Sequence, residues 1–553
     1  MKKLFSVVLS FVMLLGCFLP TVSAATVEKL PIIYIVGKQN SPVYKTDENG
    51  NWLLDENGNR IQVDNVNTPM GMTREDYILT QVEPVLKELA PALSSGNYDA
   101  YIQSLIDAFA PVYEEAVLDE NGEDPDGRID WDYSVQQPQQ GMGGFKYYYF
   151  RYDWRYSPYE IADDLHTFVE YVCKKEGVDK VNIHARCYGS NVAAAYIAKS
   201  ETGYYDAPFR VKNFVLNTTP IAGYIIVGAL MSGSIKFEPD NIDRYVSILM
   251  NSQSVFDDPV IDTLVTVLVS VMNQAQLLGW SMDKIQEIYD AISDKLIPGL
   301  ALVSYGSFPS YWSMIGDEYY EKAKLKVFGT TEAEGKYAKF IEKIDNYHNM
   351  IGIADENTGE YLYESLLKRC EAEYNMKTAV FAKYGYASLP FFEGSELTGD
   401  ARGTVTELSL GAVGTVLGET FTDEELSELQ AMEDYDEVYL SADKKVYAGT
   451  CLFPETTWFS KNMKHAELNL IDPIATEFFL SDGTLTVHDN ENYPQFHEYN
   501  NGVFEPVGEF DALDEVWSDS PIEVLLRFIS ALMDFLIALV DEILSLPLVS
   551  ENI

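Results

Sequence analysis

Ala185-Arg186-Cys187-Tyr188-Gly189-Ser190 is the stretch of this sequence whose residue types and spacing most directly suggest chemistry. A deprotonated thiol is a nucleophile, and a covalent acyl intermediate splits one difficult transfer into two easier ones. Presenting such a group requires a sharp strand-to-helix turn, with small residues two before it and two or three after it. Ala185, Gly189 and Ser190 fill those positions around Cys187. A helix starting just after the cysteine brings its positive dipole end to the sulfur, which favours the thiolate. Two blander readings stand beside this one: an elbow whose chemistry has been lost, and a cysteine that is simply a small core residue. Ser190 is the poorer nucleophile, because it falls inside the helix with Val192 where a small residue is needed.

Around the elbow the hydrophobic periodicity alternates. Pro31 to Gly37 is a continuous apolar run, as expected of a buried strand feeding a loop. Phe145 to Phe150 reads as an aromatic strand, Tyr159 to Lys175 as a helix and Val181 to His184 as the next strand. A helix over Ser190 to Ser200 and a strand over Val211 to Leu216 follow. This βαβα order predicts an α/β fold, a mostly parallel sheet with helices on both faces, and with the elbow it points to the α/β-hydrolase fold. A helical stretch is expected from about Glu75 to Ala116. Asp119 to Asp130 reads as a solvated acidic loop, since it lacks the full calcium-loop pattern and its terminal Glu. Two Asp-Glu-Asn-Gly-Asn turns, at 47–51 and 55–59, flank a short exposed strand.

The expected organisation is a signal peptide over 1–25, a first core part over 26–222, a helical cap over 223–376, a second core part over 377–510, and an acidic linker with an amphipathic helix over 511–553. The signal follows from Met1-Lys2-Lys3, an apolar run and Val22-Ser23-Ala24-Ala25, and implies a secreted protein. Lipoprotein anchoring at Cys17 is the lesser alternative, because Leu14-Leu15-Gly16-Cys17 fits a lipid box poorly. The apolar run 259–272 in the cap suits either an acyl-chain shield or a packed helix. The C-terminal helix carries Glu523, Arg527, Asp534 and Asp541 on a narrow polar stripe, which argues against a simple membrane span. It is expected to pack on the domain, on a second copy or on a membrane surface.

With 86 acidic residues against 39 basic, the surface is anionic, and nucleic acid is not an expected partner. Four cysteines remain beyond residue 25, without zinc spacing, so neither a disulfide scaffold nor sulfur-held metal is expected, and the chemistry calls for no cofactor.

The chain resembles the lecithin:cholesterol acyltransferase family. The similar stretches are Leu30 to Gly37 with Ser41, Tyr152-Asp153-Trp154-Arg155-Tyr156-Ser157-Pro158, the elbow, and Thr218 to Gly223; together they span most of residues 30–225. Farther on, Gly399-Asp400 with Gly403-Thr404-Val405 and Ser409 is similar to the family's acid motif, and Thr457-Trp458-Phe459-Ser460 with Lys464-His465 to its histidine segment. The resemblance implies a Cys187–His465–Asp400 triad in which His465 takes the thiol proton and Asp400 fixes the imidazole. Asp443 is the runner-up acid. The elbow offers the Tyr188 N–H as one oxyanion donor, and the resemblance implies the Lys38 N–H as the other. Trp154 packing beneath the site and an Asp153–Arg155 ion pair are the structural reading of the Tyr-Asp-Trp-Arg segment, against direct substrate contact. The implied activity is that of a lipase/esterase-like hydrolase or O-acyltransferase acting on a lipid or other acyl ester. The contrasting expectation is a surface-associated binding protein that keeps the fold without turnover.

Overall fold

The run Pro31 to Val36 forms strand β1 (Ile32–Ile35), in which every residue is buried. In this computed structural model the described residues are 29–38, 43–47, 51–61, 74–125, 137–238, 282–329, 331–355, 358–386, 388, 391–394 and 396–509. The expected signal peptide with Cys17, the apolar run 259–272 and the C-terminal helix lie outside them.

The other strands are β2 (Gln139–Gln140), β3 (Lys146–Phe150), β4 (Val181–Arg186), β5 (Val211–Asn217), β6 (Lys377–Tyr384), β7 (Val413–Gly414), β8 (Val446–Tyr447), β9 (Thr457–Lys461), β10 (Phe496–Asn500) and β11 (Val503–Pro506). Nine of them form one sheet in the order β11-β10-β9-β6-β5-β4-β1-β3-β2, parallel except at its two edges; β7 and β8 pair separately. β1 lies between β3 and β4, with Ile32 opposite both Tyr147 and Asn182. From β1 the chain passes to one side and then crosses to the other, so a crevice opens beyond the carboxyl ends at this switch point.

Pleat alternation assigns the faces. Ile33 and Ile35 share a face with Tyr148 and Phe150, against which Phe168 of helix Pro158–Glu176 packs. Tyr34 and His184 point the other way, toward Phe479 of helix Asp472–Leu480. Both faces are therefore covered, which explains why the central strands read as unbroken apolar runs. Each fully buried isoleucine contributes about 1.5–3 kcal/mol. Helix Pro158–Glu176 starts where Ser157 caps the Tyr159 N–H and Pro158 occupies its first turn. Helix Gly189–Glu201 follows the elbow and is buried nearly all round.

Between β5 and β6 the described chain is helical: Ile225–Ser232, Met282–Leu302, Pro309–Trp312, Asp317–Phe328, Thr331–Tyr347 and Leu362–Tyr374. The helical stretch expected over Glu75 to Ala116 consists of two helices, Arg74–Ser95 and Asp99–Tyr113. Gly96-Asn97 turns the chain between them, and the Asp99 N–H bonds the Asn97 side chain.

Candidate active site

β4 ends at Arg186, and Cys187 turns the chain with a φ of 46°, in the left-handed region that a non-glycine residue rarely adopts. The turn is held by Cys187 N–H to Asn217 O at 2.9 Å and Ser190 N–H to Cys187 O at 2.8 Å. A Cβ on Gly189 would lie 2.7 Å from Val36 O and 2.8 Å from Ile35 O, so only glycine lets the new helix sit against β1. A Cβ on Gly37 would lie 3.3 Å from the Cβ of Cys187, which brings the backbone just before Lys38 against the cysteine. Ser190 is fully buried beneath this turn.

His465 follows β9 on a loop that three strand ends anchor from below. Lys383, buried in β6, donates to Lys464 O at 2.7 Å and His465 O at 3.1 Å. Asn217 at the end of β5 donates to Leu468 O at 3.0 Å. Arg186, the last residue of β4, bonds Asn469 and pairs with Asp472. The residue before the cysteine thus fastens the loop that carries the histidine. A charged residue in an apolar strand was the one available sign of this, because a buried guanidinium needs a partner; its partners lie too far along the chain to be read in advance.

Asp400 lies beyond β6, fully buried, and its Oδ2 is 2.6 Å from His465 Nδ1. Its Oδ1 accepts the N–H groups of Arg402 and Gly403, each at 3.0 Å. An ionised carboxylate only accepts, so Nδ1 carries the proton and Nε2 is the basic nitrogen. Nε2 is buried, and the imidazole interacts with the Cys187 thiol. Burial opposes the charged imidazole, but Asp400 and Cys187 outweigh it and raise His465 to about 9. Burial would likewise push the Cys187 thiol up; His465, Arg402 and the Tyr188 N–H together bring it below its ordinary value. Burial also opposes the Asp400 carboxylate, and His465, Lys383 and the Gly403 N–H hold it below the ordinary range. The three directions agree: the buried carboxylate favours the charged imidazole, and the imidazole favours ionisation of the thiol.

The structure thus brings Cys187, His465 and Asp400 together, with the Tyr188 N–H turned toward the sulfur and Lys38 directly after the glycine that backs the cysteine. Asp443 lies elsewhere: it is buried against Tyr384 and Lys461, each 3.3 Å from its Oδ2. Arg155 is buried between Asp153 at 2.6 Å and Asp124 at 2.5 Å, so the 119–125 turn is tied to the Tyr-Asp-Trp-Arg segment. Trp154 packs edge-on to Phe308 of the insertion. Among the described residues no group of three or more His, Cys, Asp or Glu side chains is gathered in a metal-holding arrangement.

No protein-family model and no curated protein matches this sequence. A chain from a solved structure described as "The crystal structure of Tle4-Tli4 complex" aligns at 15% sequence identity with a TM-score of 0.18, covering 36% of this chain and 48% of that chain. The alignment spans about half of that chain, and a score this low carries no conclusion about fold or activity.

Proposed function

We propose that this chain is an α/β-hydrolase-fold enzyme that cleaves an ester, or transfers its acyl group, through a thioester on Cys187. The observation that carries this reading is the Asp400–His465 bond of 2.6 Å, with the imidazole coupled to a thiol on a left-handed turn. The strand order, with β1 between β3 and β4 and all three groups on segments leaving carboxyl ends, supports the fold. The helical insertion between β5 and β6 is the proposed cap: Tyr224 N–H bonds Met314 O at 2.8 Å and Asn191 reaches Ser313 O at 2.8 Å, seating residues 305–315 over the elbow.

In this mechanism Cys187 Sγ attacks the ester carbonyl, and the S–C bond forms as a tetrahedral oxyanion develops. The N–H groups of Tyr188 and Lys38 stabilise that oxyanion. Collapse breaks the C–O bond, and the imidazolium of His465 gives its proton to the departing alkoxide. Water or an acceptor alcohol then loses a proton to His465, attacks the thioester and releases Cys187. Asp400 stays ionised throughout and stabilises the charged imidazole. Lipid-type esters are the proposed substrate class, in line with the resemblance to the lecithin:cholesterol acyltransferase family and with the aromatic residues Tyr305, Phe308 and Tyr311 above the elbow. The amino-terminal charge and apolar layout supports action outside the cell.

The test is mass-spectrometric alkylation together with turnover of short- and long-chain p-nitrophenyl esters. Cys187 should be labelled faster than the buried Cys173, Cys370 and Cys451, and both labelling and turnover should fall in His465→Ala. If Cys187 labels no faster than the others and no ester is cleaved, the enzyme reading fails and the binding-protein alternative takes its place.

A further inference from the structure

Two capping boxes in this chain are built alike and placed differently. In each, a threonine caps a short helix and a glutamate three residues later reaches back to it. Before helix Asp423–Gln430, Oε2 of Glu425 accepts the Thr422 N–H at 2.7 Å and its hydroxyl at 2.8 Å. Before helix Val405–Ser409, Oε2 of Glu407 accepts the Thr404 N–H at 2.6 Å and its hydroxyl at 2.9 Å. Glu425 is exposed. Glu407 has further work: its Oε1 accepts the N–H of Ile225 at 2.5 Å, the first residue of helix Ile225–Ser232 in the insertion. That N–H has no acceptor within its own helix, and the helix dipole favours a carboxylate there. Thr404 closes the turn that holds Asp400, since the Gly403 N–H donates to Asp400 Oδ1 and the Asp400 N–H donates to Gly403 O at 3.1 Å. One carboxylate therefore holds both the acid turn and the start of the insertion. Burial raises that carboxyl to about 7, the Glu318 carboxylate adds to the rise, and the Thr404 and Ile225 donors oppose it. A helix cap alone does not require so enclosed a position, as Glu425 shows.

Tyr224 precedes Ile225 and is fixed at both ends. Its N–H donates to Met314 O at 2.8 Å and its hydroxyl to Thr218 O at 3.1 Å. Between these anchors the buried ring stands nearly perpendicular to the His465 imidazole, with 6.4 Å between centres and 85° between planes. A Cβ on Gly403 would lie 2.7 Å from Tyr224 Cε1, so the ring also presses on the Asp400 turn. Asp400 bonds Nδ1 and sets the tautomer, but a single side-chain bond leaves an imidazole able to swing about it. A ring packed beside the imidazole restricts that swing.

We propose that Glu407 and Tyr224 are positioning residues for His465: Glu407 fastens the start of the insertion to the Asp400 turn, and Tyr224, held there, keeps the imidazole facing the thiol. This rests on the thioester reading and adds two residues to its machinery. The insertion is then part of the triad's support as well as a cover over the elbow. Small losses of alignment at reacting groups are costly, because a misplacement of about 1 Å can slow a reaction about 100-fold.

The test compares kcat and KM for p-nitrophenyl butyrate, and iodoacetamide labelling of Cys187 at pH 7, in full-length wild type, Glu407→Ala, Tyr224→Leu and Glu425→Ala. In Glu407→Ala and Tyr224→Leu, kcat should fall about 10- to 100-fold with KM within about three-fold, and labelling should slow about three-fold or more. Glu425→Ala removes the same kind of cap and should change none of these. Glu407→Gln keeps an acceptor for the Ile225 N–H and Tyr224→Phe keeps the ring, so each should recover most of what the truncation loses. Thermal melting shows which variants fold. Glu407→Asp, whose carboxylate falls one methylene short of Ile225, replaces Glu407→Ala if that variant does not, and Tyr224→Leu is read only where it folds. Wild-type kcat and labelling in the folded Glu407 and Tyr224 truncations, or an equal loss in Glu425→Ala, overturn the positioning role and leave the thioester reading standing. Should wild type cleave no ester and Cys187 label no faster than Cys173, Cys370 and Cys451, the thioester reading falls and the positioning role with it.

Discussion

Asparagine at position 400 would keep the shape of a buried side chain and remove its charge. Two other histidines show what burial does without a hydrogen-bonded carboxylate: burial lowers His184 and His497 to about 4, whereas His465, as deeply placed, is raised to about 9. The gap amounts to several kcal/mol, at about 1.4 kcal/mol for each tenfold change in proton affinity, and Asp400 and Cys187 supply it. With Asp400→Asn the imidazole is expected to fall to or below its ordinary 6.5 and to be neutral at pH 7.5. Cys187 then loses its charged neighbour, burial dominates, and the thiol rises to at least its ordinary 9.0. Less thiolate is then present at pH 7, so alkylation should slow by roughly several-fold or more and recover only toward alkaline pH. Ester turnover should fall further, by about 10³- to 10⁴-fold, because the wrong tautomer is favoured as well. The assay is the rate of iodoacetamide labelling of the Cys187 peptide from pH 5 to 10, in wild type, Asp400→Asn and Asp443→Asn. Asp443 holds Tyr384 and Lys461, so its variant should lose stability and keep the wild-type profile. An Asp400→Asn profile that overlays the wild type, or a shift produced by Asp443→Asn instead, would refute this account of the site.

Cys187→Ser should cut ester turnover at least about 100-fold, since the serine hydroxyl lacks the thiol's acidity; a gain in rate would show that the site is built for an oxygen nucleophile. Arg186→Met leaves Asn469 and Asp472 without the group that holds them, and a loss of about 2–4 kcal/mol is expected in urea denaturation. The same variant should lower kcat more than it raises KM, because the histidine loop is what it frees. Gly189→Ala sets a methyl 2.7 Å from Val36 O, a contact with backbone that cannot move aside, and should cost about 2–4 kcal/mol in the same measurement. Because folding raises His465 from 6.5 to about 9, its contribution to stability is fully present below about pH 6.5 and is lost as pH rises through 9. The difference in Tm between wild type and His465→Gln should narrow across that window, and a constant difference would count against the charged pair.

Much of the framework was legible in the linear sequence because it rests on local rules. Apolar runs marked β1, β3, β4 and β5, helical periodicity marked the segments before and after the elbow, and small residues at 185, 189 and 190 marked the turn itself. The order of Cys187, Asp400 and His465 along the chain was also visible, whereas their meeting was not. It depends on contacts between residues that are remote in sequence. Arg186 reaches Asn469 and Asp472, Asn217 reaches Leu468, Lys383 holds the carbonyls of Lys464 and His465, and only these bonds set the imidazole between thiol and carboxylate. The choice of Asp400 over Asp443 as the partner of His465 belongs to the same level, since both are buried aspartates and only three-dimensional neighbours tell them apart. Sequence by itself determined the alternating elements and a thiol on a strained turn, through periodicity and steric demand. Tertiary structure decided which groups favour ionisation of that thiol, because ionisation in a buried site depends on which distant groups the fold brings within a few ångströms.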